Sequence, residues 1–140
     1  MRNDLVAPCG IDCGICELYI CQNIPQLYDA LIAKGIPENK IPCEGCRKNK
    51  GNCPVHPEPC ETYNCVNMKN VDFCYECKDF PCGYLNPAAD RAEVLPHNLK
   101  VFNLMKIERA GIDNFIASSQ EIKNKYYNGK MLIGKGPEIL

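Results

Sequence analysis

The sequence predicts a small metal-dependent α+β protein: irregular cysteine-knuckle loops with short strands, plus two or three helices mainly in the C-terminal part. Three observations predict it. All twelve cysteines of the 140-residue chain fall between Cys9 and Cys82. Three pairs at C-x2-C spacing punctuate that run: Cys13/Cys16, Cys43/Cys46 and Cys74/Cys77. Over the first 85 positions apolar residues come in short clusters between Pro, Gly, Asn and Cys, whereas helical periodicity is clearest after Asn98. A segment so poor in continuous apolar surface draws its missing stability from cross-links or metals.

The length suits one domain. We read a cysteine-rich metal-binding region over 1–85, a helical region over 86–127 packed on it, and a C-terminal arm over 128–140. The first cysteine block is Cys9-x3-Cys13-x2-Cys16-x4-Cys21. A helix is expected next, from Pro25 to Lys34, because Pro25 suits a first-turn position and Gly35 a stop. Its apolar face is Leu27 and Leu31, with Ile24 and Tyr28 beside them. Block two carries Cys43, Cys46, Cys53, Cys60 and Cys65, and Pro54, Pro57 and Pro59 argue against a long helix there. Block three is Cys74, Cys77 and Cys82.

After the cysteines the chain changes character. Asn86 to Leu95 reads as a short helix, with Asn86 as N-cap and Pro87 in the first position. From Asn98 to Ala110, Val101, Leu104, Met105 and Glu108 share one side, and Phe102 and Ile107 widen the apolar stripe. Gly111 breaks that pattern. A last helix should begin near Asp113 and end near Tyr127, before Asn128-Gly129. Lys130 to Leu140 is expected as a short strand with a loose end or as a docked extended arm, with Gly134-Lys135-Gly136-Pro137 a flexible terminus.

Charge narrows the function. The formal net charge is -1 and the pI about 6.1, unlike the basic surface of a nucleic-acid binder. The one basic stretch, Arg47-Lys48-Asn49-Lys50, reads as a solvated loop. The first ten residues hold no apolar secretory core, and no window approaches the ~18 apolar residues of a membrane span. The expected location is cytoplasmic, with no membrane association. In that reducing setting C-x2-C cysteines read as metal ligands or redox thiols rather than structural disulfides.

The spacing has a chemical reason. A C-x2-C turn lets two thiolates converge on one tetrahedral ion while backbone N–H groups bond the sulfurs. Zinc bound by two such turns contributes on the order of 10 kcal/mol of folding energy. The expected ligands are Cys9, Cys13, Cys16, Cys21, Cys43, Cys46, Cys53, Cys60, Cys65, Cys74, Cys77 and Cys82. Each block offers a trio, Cys9/Cys13/Cys16, Cys43/Cys46/Cys53 and Cys74/Cys77/Cys82. Cys21, Cys60 and Cys65 are then fourth ligands or buried free thiols. Pairing across blocks, such as Cys43/Cys46 with Cys74/Cys77, fits the sequence equally. His56 has C-x2-H spacing from Cys53, but a surface histidine is the plainer reading, as it is for His97.

Iron–sulfur clusters also take four thiolates, so they are the alternative to zinc. Cys9-x3-Cys13-x2-Cys16 matches the three-cysteine spacing of radical S-adenosylmethionine enzymes. A chain this short without βα repeats cannot build their barrel. No Ser-His-acid set, phosphate loop or H-E-x-x-H motif is present, so no catalytic residue is assigned. Asp12 and Glu17 read as solvated loop acids. The functional expectation is a metal-binding protein with up to three four-cysteine sites. It would be a structural zinc module acting as an accessory or interaction protein for another protein. The alternative is an iron–sulfur electron-transfer or accessory subunit of an anaerobic enzyme.

Three stretches together resemble a known family. Pro8-Cys-Gly-Ile-Asp-Cys-Gly-Ile-Cys16, Cys43-Glu-Gly-Cys-Arg47 and Cys74-Tyr-Glu-Cys-Lys-Asp-Phe-Pro-Cys82 are similar to the motifs of a bacterial and archaeal domain of unknown function, number 3795. The resemblance runs from residue 5 to about residue 117 and implies a small cysteine-rich, metal-binding domain without an assigned activity. Some relatives carry a further C-x-x-C ribbon after the last helix. No cysteine follows Cys82 here, so no role of that ribbon carries over.

Overall fold

A computed structural model describes residues 1–85 and 99–140. The helix expected over Asn86–Leu95, and His97, lie outside the described residues. The chain opens with a 3-10 turn, Arg2–Leu5. Val6 then forms an antiparallel bridge to Asp12, which closes a tight loop around Cys9. Gly10 sits in that loop with φ +88°, and a Cβ there would stand 3.0 Å from both Leu104 Cγ and the Lys100 carbonyl. Glycine therefore lets this loop lie directly on a helix from the far end of the sequence.

A short helix, α1 (Glu17–Ile20), leads into α2 (Pro25–Ala33), which begins at its proline and stops before Gly35 as expected. Leu27, Tyr28 and Leu31 turn inward against Leu18, Cys21 and Ile41, while Ile24 stays 40 % exposed. Next comes α3 (Glu61–Lys69), which Asn70 ends in a left-handed conformation (φ 54°). This helix corrects the sequence expectation. The prolines at 54, 57 and 59 all precede Cys60, the N-cap, so they shape the loop without interrupting the helix.

The C-terminal part consists of α4 (Lys100–Ala110), α5 (Ile112–Tyr126), and a hairpin of β1 (Lys130–Leu132) and β2 (Gly136–Glu138). The strands pair Lys130 with Glu138, Met131 with Pro137 and Leu132 with Gly136. The short strand expected here is thus present, but its end folds back as a second strand instead of staying loose, and the Lys135 N–H bonds the Leu132 carbonyl at 3.1 Å. The described residues contain five α-helices and a two-stranded sheet, and three of the helices precede Cys74. The α+β class holds; the helices are more numerous than the two or three expected, although the two longest, α4 and α5, do lie in the C-terminal part.

The core explains why both ends of the sequence fold together. Val6 packs with Leu99, Ile107, Phe115 and Ile122. Leu104 packs with Val66, Cys74 and Leu85. Val6, Leu104 and Phe115 are 0 %, 0 % and 1 % exposed, each contributing roughly 1.5–3 kcal/mol of burial. The buried face of α4 is Asn103, Leu104 and Ile107. Met105, expected on that face, is 37 % exposed. Among the described residues, no helix is long and apolar enough to cross a membrane.

Candidate metal centre

Four cysteines from three parts of the chain meet at one cavity of about 470 Å³. Cys65 comes from α3, Cys74 and Cys77 from a 3-10 turn at Cys74–Glu76 and its end, and Cys82 from the segment beyond. The turn is locally held. The Glu76 carboxylate accepts from the backbone N–H groups of Asp72 (2.9 Å) and Phe73 (2.6 Å). Docking of the turn is equally specific, because the Cys74 N–H donates to the Pro8 carbonyl at 3.0 Å. Val66, Val71, Phe80 and Leu85 supply apolar walls.

The Cys77 sulfur has a distinct environment. It accepts from the Asp79 N–H at 3.4 Å and from the Lys69 ammonium at 3.1 Å. These two donors hold its thiol below the usual cysteine range. Lys69 also pairs with Asp79 at 2.7 Å, so its charge is shared between sulfur and carboxylate. Cys74 is the contrast: burial, then the charges of Cys9, Cys82, Cys65 and Cys77, push it up to about 12. Burial and the neighbouring thiols thus keep Cys74 in its neutral, protonated form.

Thiols of blocks one and two lie near one another, company that the spacing left open beside the trios. Cys13 is pushed up to about 12 by burial and by the charges of Cys9, Cys16 and Cys43, with the Cys46 N–H opposing. Cys46 is pushed up to about 12 by burial and by the charges of Cys9, Cys13, Cys60 and Cys53. Blocks one and two are therefore folded against each other. Cys16, Cys43 and Cys53 also pack on the cluster that contains Cys21. The Cys43 sulfur accepts from the Gly45 N–H (3.5 Å) and the Asn49 side-chain amide (3.1 Å). Cys21 is 2 % exposed and donates its thiol proton to the Leu18 carbonyl at 3.3 Å.

Among the described residues, no three His, Cys, Asp or Glu side chains stand in metal-holding geometry. The four thiols of blocks two and three surround a space instead of closing on a point. Their chemistry nonetheless suits a soft divalent ion: four sulfurs, with N–H donors already on one of them. His56 is exposed and lines a shallow groove with Cys53 and Pro54.

Two charged residues read as solvated are structural. Asp12 is 5 % exposed. Its carboxylate accepts from both Arg2 terminal nitrogens (2.8 and 2.6 Å), the Gly14 N–H (2.9 Å) and the Ser119 hydroxyl (2.6 Å). Arg47 donates to the carbonyls of Val6 (2.8 Å) and Asp72 (2.9 Å) and lies 4.8 Å from the Phe73 ring centroid. It thereby clamps the N-terminal segment, block two and block three together. The signal available for Asp12 was its own turn: an Asp two residues before a glycine N–H makes an Asx-type bond. Nothing in the sequence pointed Arg47 at Val6.

Fold and cysteine content together define a small cysteine-rich α+β protein. Residues 5–87 match the family described as a protein of unknown function (DUF3795), and the chain belongs to that family. The match ends before α4, short of the span read from the sequence. No curated protein and no solved structure matches the chain.

Proposed function

We propose that this chain is a metal-binding protein in which Cys65, Cys74, Cys77 and Cys82 form one four-cysteine site. The eight thiols from Cys9 to Cys60 supply up to two more. The observation that carries the reading is the convergence of those four cysteines, from three chain segments, on one cavity. The donors on Cys77 favour its thiolate, the form that binds metal. Zinc is the proposed ion, and its role is structural: bound, it would tie α3 to the Cys74–Cys82 segment. The chain's own part is to deliver the sulfurs, to shield them with Val66, Val71 and Phe80, and to offset their charge with Lys69. A cytoplasmic setting, which keeps thiols reduced, belongs to this reading. So does a role as an accessory or interaction module for another protein.

One observation favours the iron–sulfur alternative. The cavity of about 470 Å³ is roomier than a single ion needs, and its walls are largely apolar, as suits a shielded cluster. The deciding experiment is anaerobic purification followed by elemental and sulfide analysis. A colourless protein with about two or three zinc per chain, losing about one in Cys77→Ser, supports the zinc reading. Brown protein absorbing near ~400 nm with acid-labile sulfide replaces zinc by clusters. Less than about one metal of either kind per chain, or a metal content unchanged in Cys77→Ser, overturns the proposal.

A further inference from the structure

The four cysteines around the larger cavity differ in what can reach them. Cys74 is buried, 8 % exposed, and its N–H is tied to the Pro8 carbonyl. Cys65 is partly buried and carried on α3. Cys82, by contrast, is the one exposed cysteine among the twelve. The Cys77 sulfur lies at the open rim, bonded to the Lys69 ammonium and the Asp79 N–H. Both of those side chains are themselves solvent-accessible. A dissolved oxidant therefore meets Cys77 and Cys82 before it meets Cys74.

Cys77 and Cys82 also share one short segment. Between them the chain turns back, with the Phe80 N–H donating to the Cys77 carbonyl at 3.1 Å. Both cysteines line the same cavity, and no helix or strand separates them. Their sulfurs can join by a local movement of Lys78–Pro81, leaving α3 and the Cys74–Pro8 contact in place.

We propose that Cys77 and Cys82 are a reversible dithiol–disulfide pair, oxidised by a peroxide, and that joining them empties the four-cysteine site of its metal. The second half rests on the metal reading above; the first does not. The Cys77 sulfur attacks one peroxide oxygen, the O–O bond breaks, and the other oxygen leaves as hydroxide and takes a proton to become water. The Cys82 sulfur then attacks the sulfenic sulfur of Cys77, forming the S–S bond and releasing the second oxygen as water. Two sulfurs are oxidised by one electron each, and the peroxide takes up both electrons. Any bound zinc keeps its charge and loses two of its four ligands, since Cys65 and Cys74 alone do not complete a tetrahedral site.

The test uses the full-length protein, purified anaerobically and treated with about one equivalent of hydrogen peroxide per chain. Free thiols are alkylated, disulfides are mapped by peptide mass spectrometry, and released zinc is read with a chromogenic chelator. The expected result is a dominant Cys77–Cys82 disulfide, reversed by dithiothreitol, with about one zinc released per chain. In Cys82→Ser, Cys77 should instead be trapped as the sulfenic acid by dimedone. If that variant does not fold, the map of the wild-type protein decides alone. A map in which Cys77 and Cys82 stay alkylated, or in which Cys77 joins another cysteine, overturns the pair. A Cys77–Cys82 disulfide formed with the zinc retained overturns the release. Reduced protein whose zinc content is unchanged in Cys77→Ser overturns the metal reading and the release with it, and the disulfide map still decides the pair.

Discussion

Replacing Asp12 by Asn tests how the N-terminal loop is held to the helices. The substitution keeps the shape but removes the charge and one acceptor oxygen. Asp12 accepts four hydrogen bonds, from Arg2 twice, Gly14 and Ser119. A bond to a charged group is worth ~1.5–3 kcal/mol, and such values do not simply add within one network. The Arg2 side chain is 39 % exposed, so solvent screens its share. The Ser119 and Gly14 bonds are the better shielded part. Weighing these, we expect Asp12→Asn to cost about 2–4 kcal/mol, below the ~3–5 for breaking a fully buried pair. For a domain of this size that lowers Tm by roughly 6–14 °C. Circular dichroism melts in urea and by heat measure it, on preparations matched for metal content because bound metal shifts apparent stability. A cycle with Ser119→Ala isolates the pair, and its coupling should be about 1 kcal/mol or more. A loss below about 0.5 kcal/mol, the size of an ordinary surface change, would refute the reasoning.

Gly51 has φ +80°, and a Cβ there would stand 2.9 Å from the Tyr63 Cβ. Gly51→Ala should therefore destabilise by about 1–3 kcal/mol in the same melts, and an unchanged Tm would show that the loop can relax. Acid should weaken the contact between α1 and α5. Burial raises the Glu17 pKa, but the Lys123 hydrogen bond and neighbouring charge outweigh it and hold the carboxyl below its ordinary value. The unfolded chain then binds the proton more readily, so this stability is present above the ordinary Glu range and is lost as pH falls through the folded pKa. Between pH ~5 and ~3 wild type should lose stability faster than Glu17→Gln, by less than about 1 kcal/mol because Glu17 is half exposed. Parallel curves for the two proteins would contradict the assignment.

How far the sequence reveals this fold depends on the kind of signal. Helices α2, α4 and α5 were legible because Pro25 and Gly111 mark their ends and apolar residues recur on one face. Helix α3 was not, since its sequence ETYNCVNMK has little apolar stripe and buries only Thr62 and Val66. Tertiary contact with the thiol cavity, rather than local pattern, holds it. The hairpin was missed because three-residue strands carry too few side chains to show alternation. At the site, spacing identified the sulfurs but not their company. Cys65 joins block three because α3 carries it there, a long-range fact that no local motif encodes. The cation at the Cys77 sulfur is equally remote in sequence: Lys69 of α3.

The position of Arg47 bears on which part of the molecule depends on metal. It follows directly on Cys46, so it is fixed to block two, yet its guanidinium is spent on Val6, Asp72 and Phe73. Val6 is itself the residue through which the N-terminal segment enters the core of Ile107, Phe115 and Ile122. The Pro8 carbonyl, two residues on, receives Cys74. One short stretch, Val6 to Pro8, is thus the junction where both thiol regions and the α4–α5 core meet. The forces at that junction are apolar burial and charge-assisted hydrogen bonds, neither of which needs an ion. Its position is therefore set by the core, and the thiol loops are grafted onto it at fixed points. A metal at Cys65, Cys74, Cys77 and Cys82 would then act on a segment already anchored at Cys74. On that logic a metal bound there would stiffen the Cys74–Cys82 segment, while the order of the whole rests on Val6, Asp12 and Arg47.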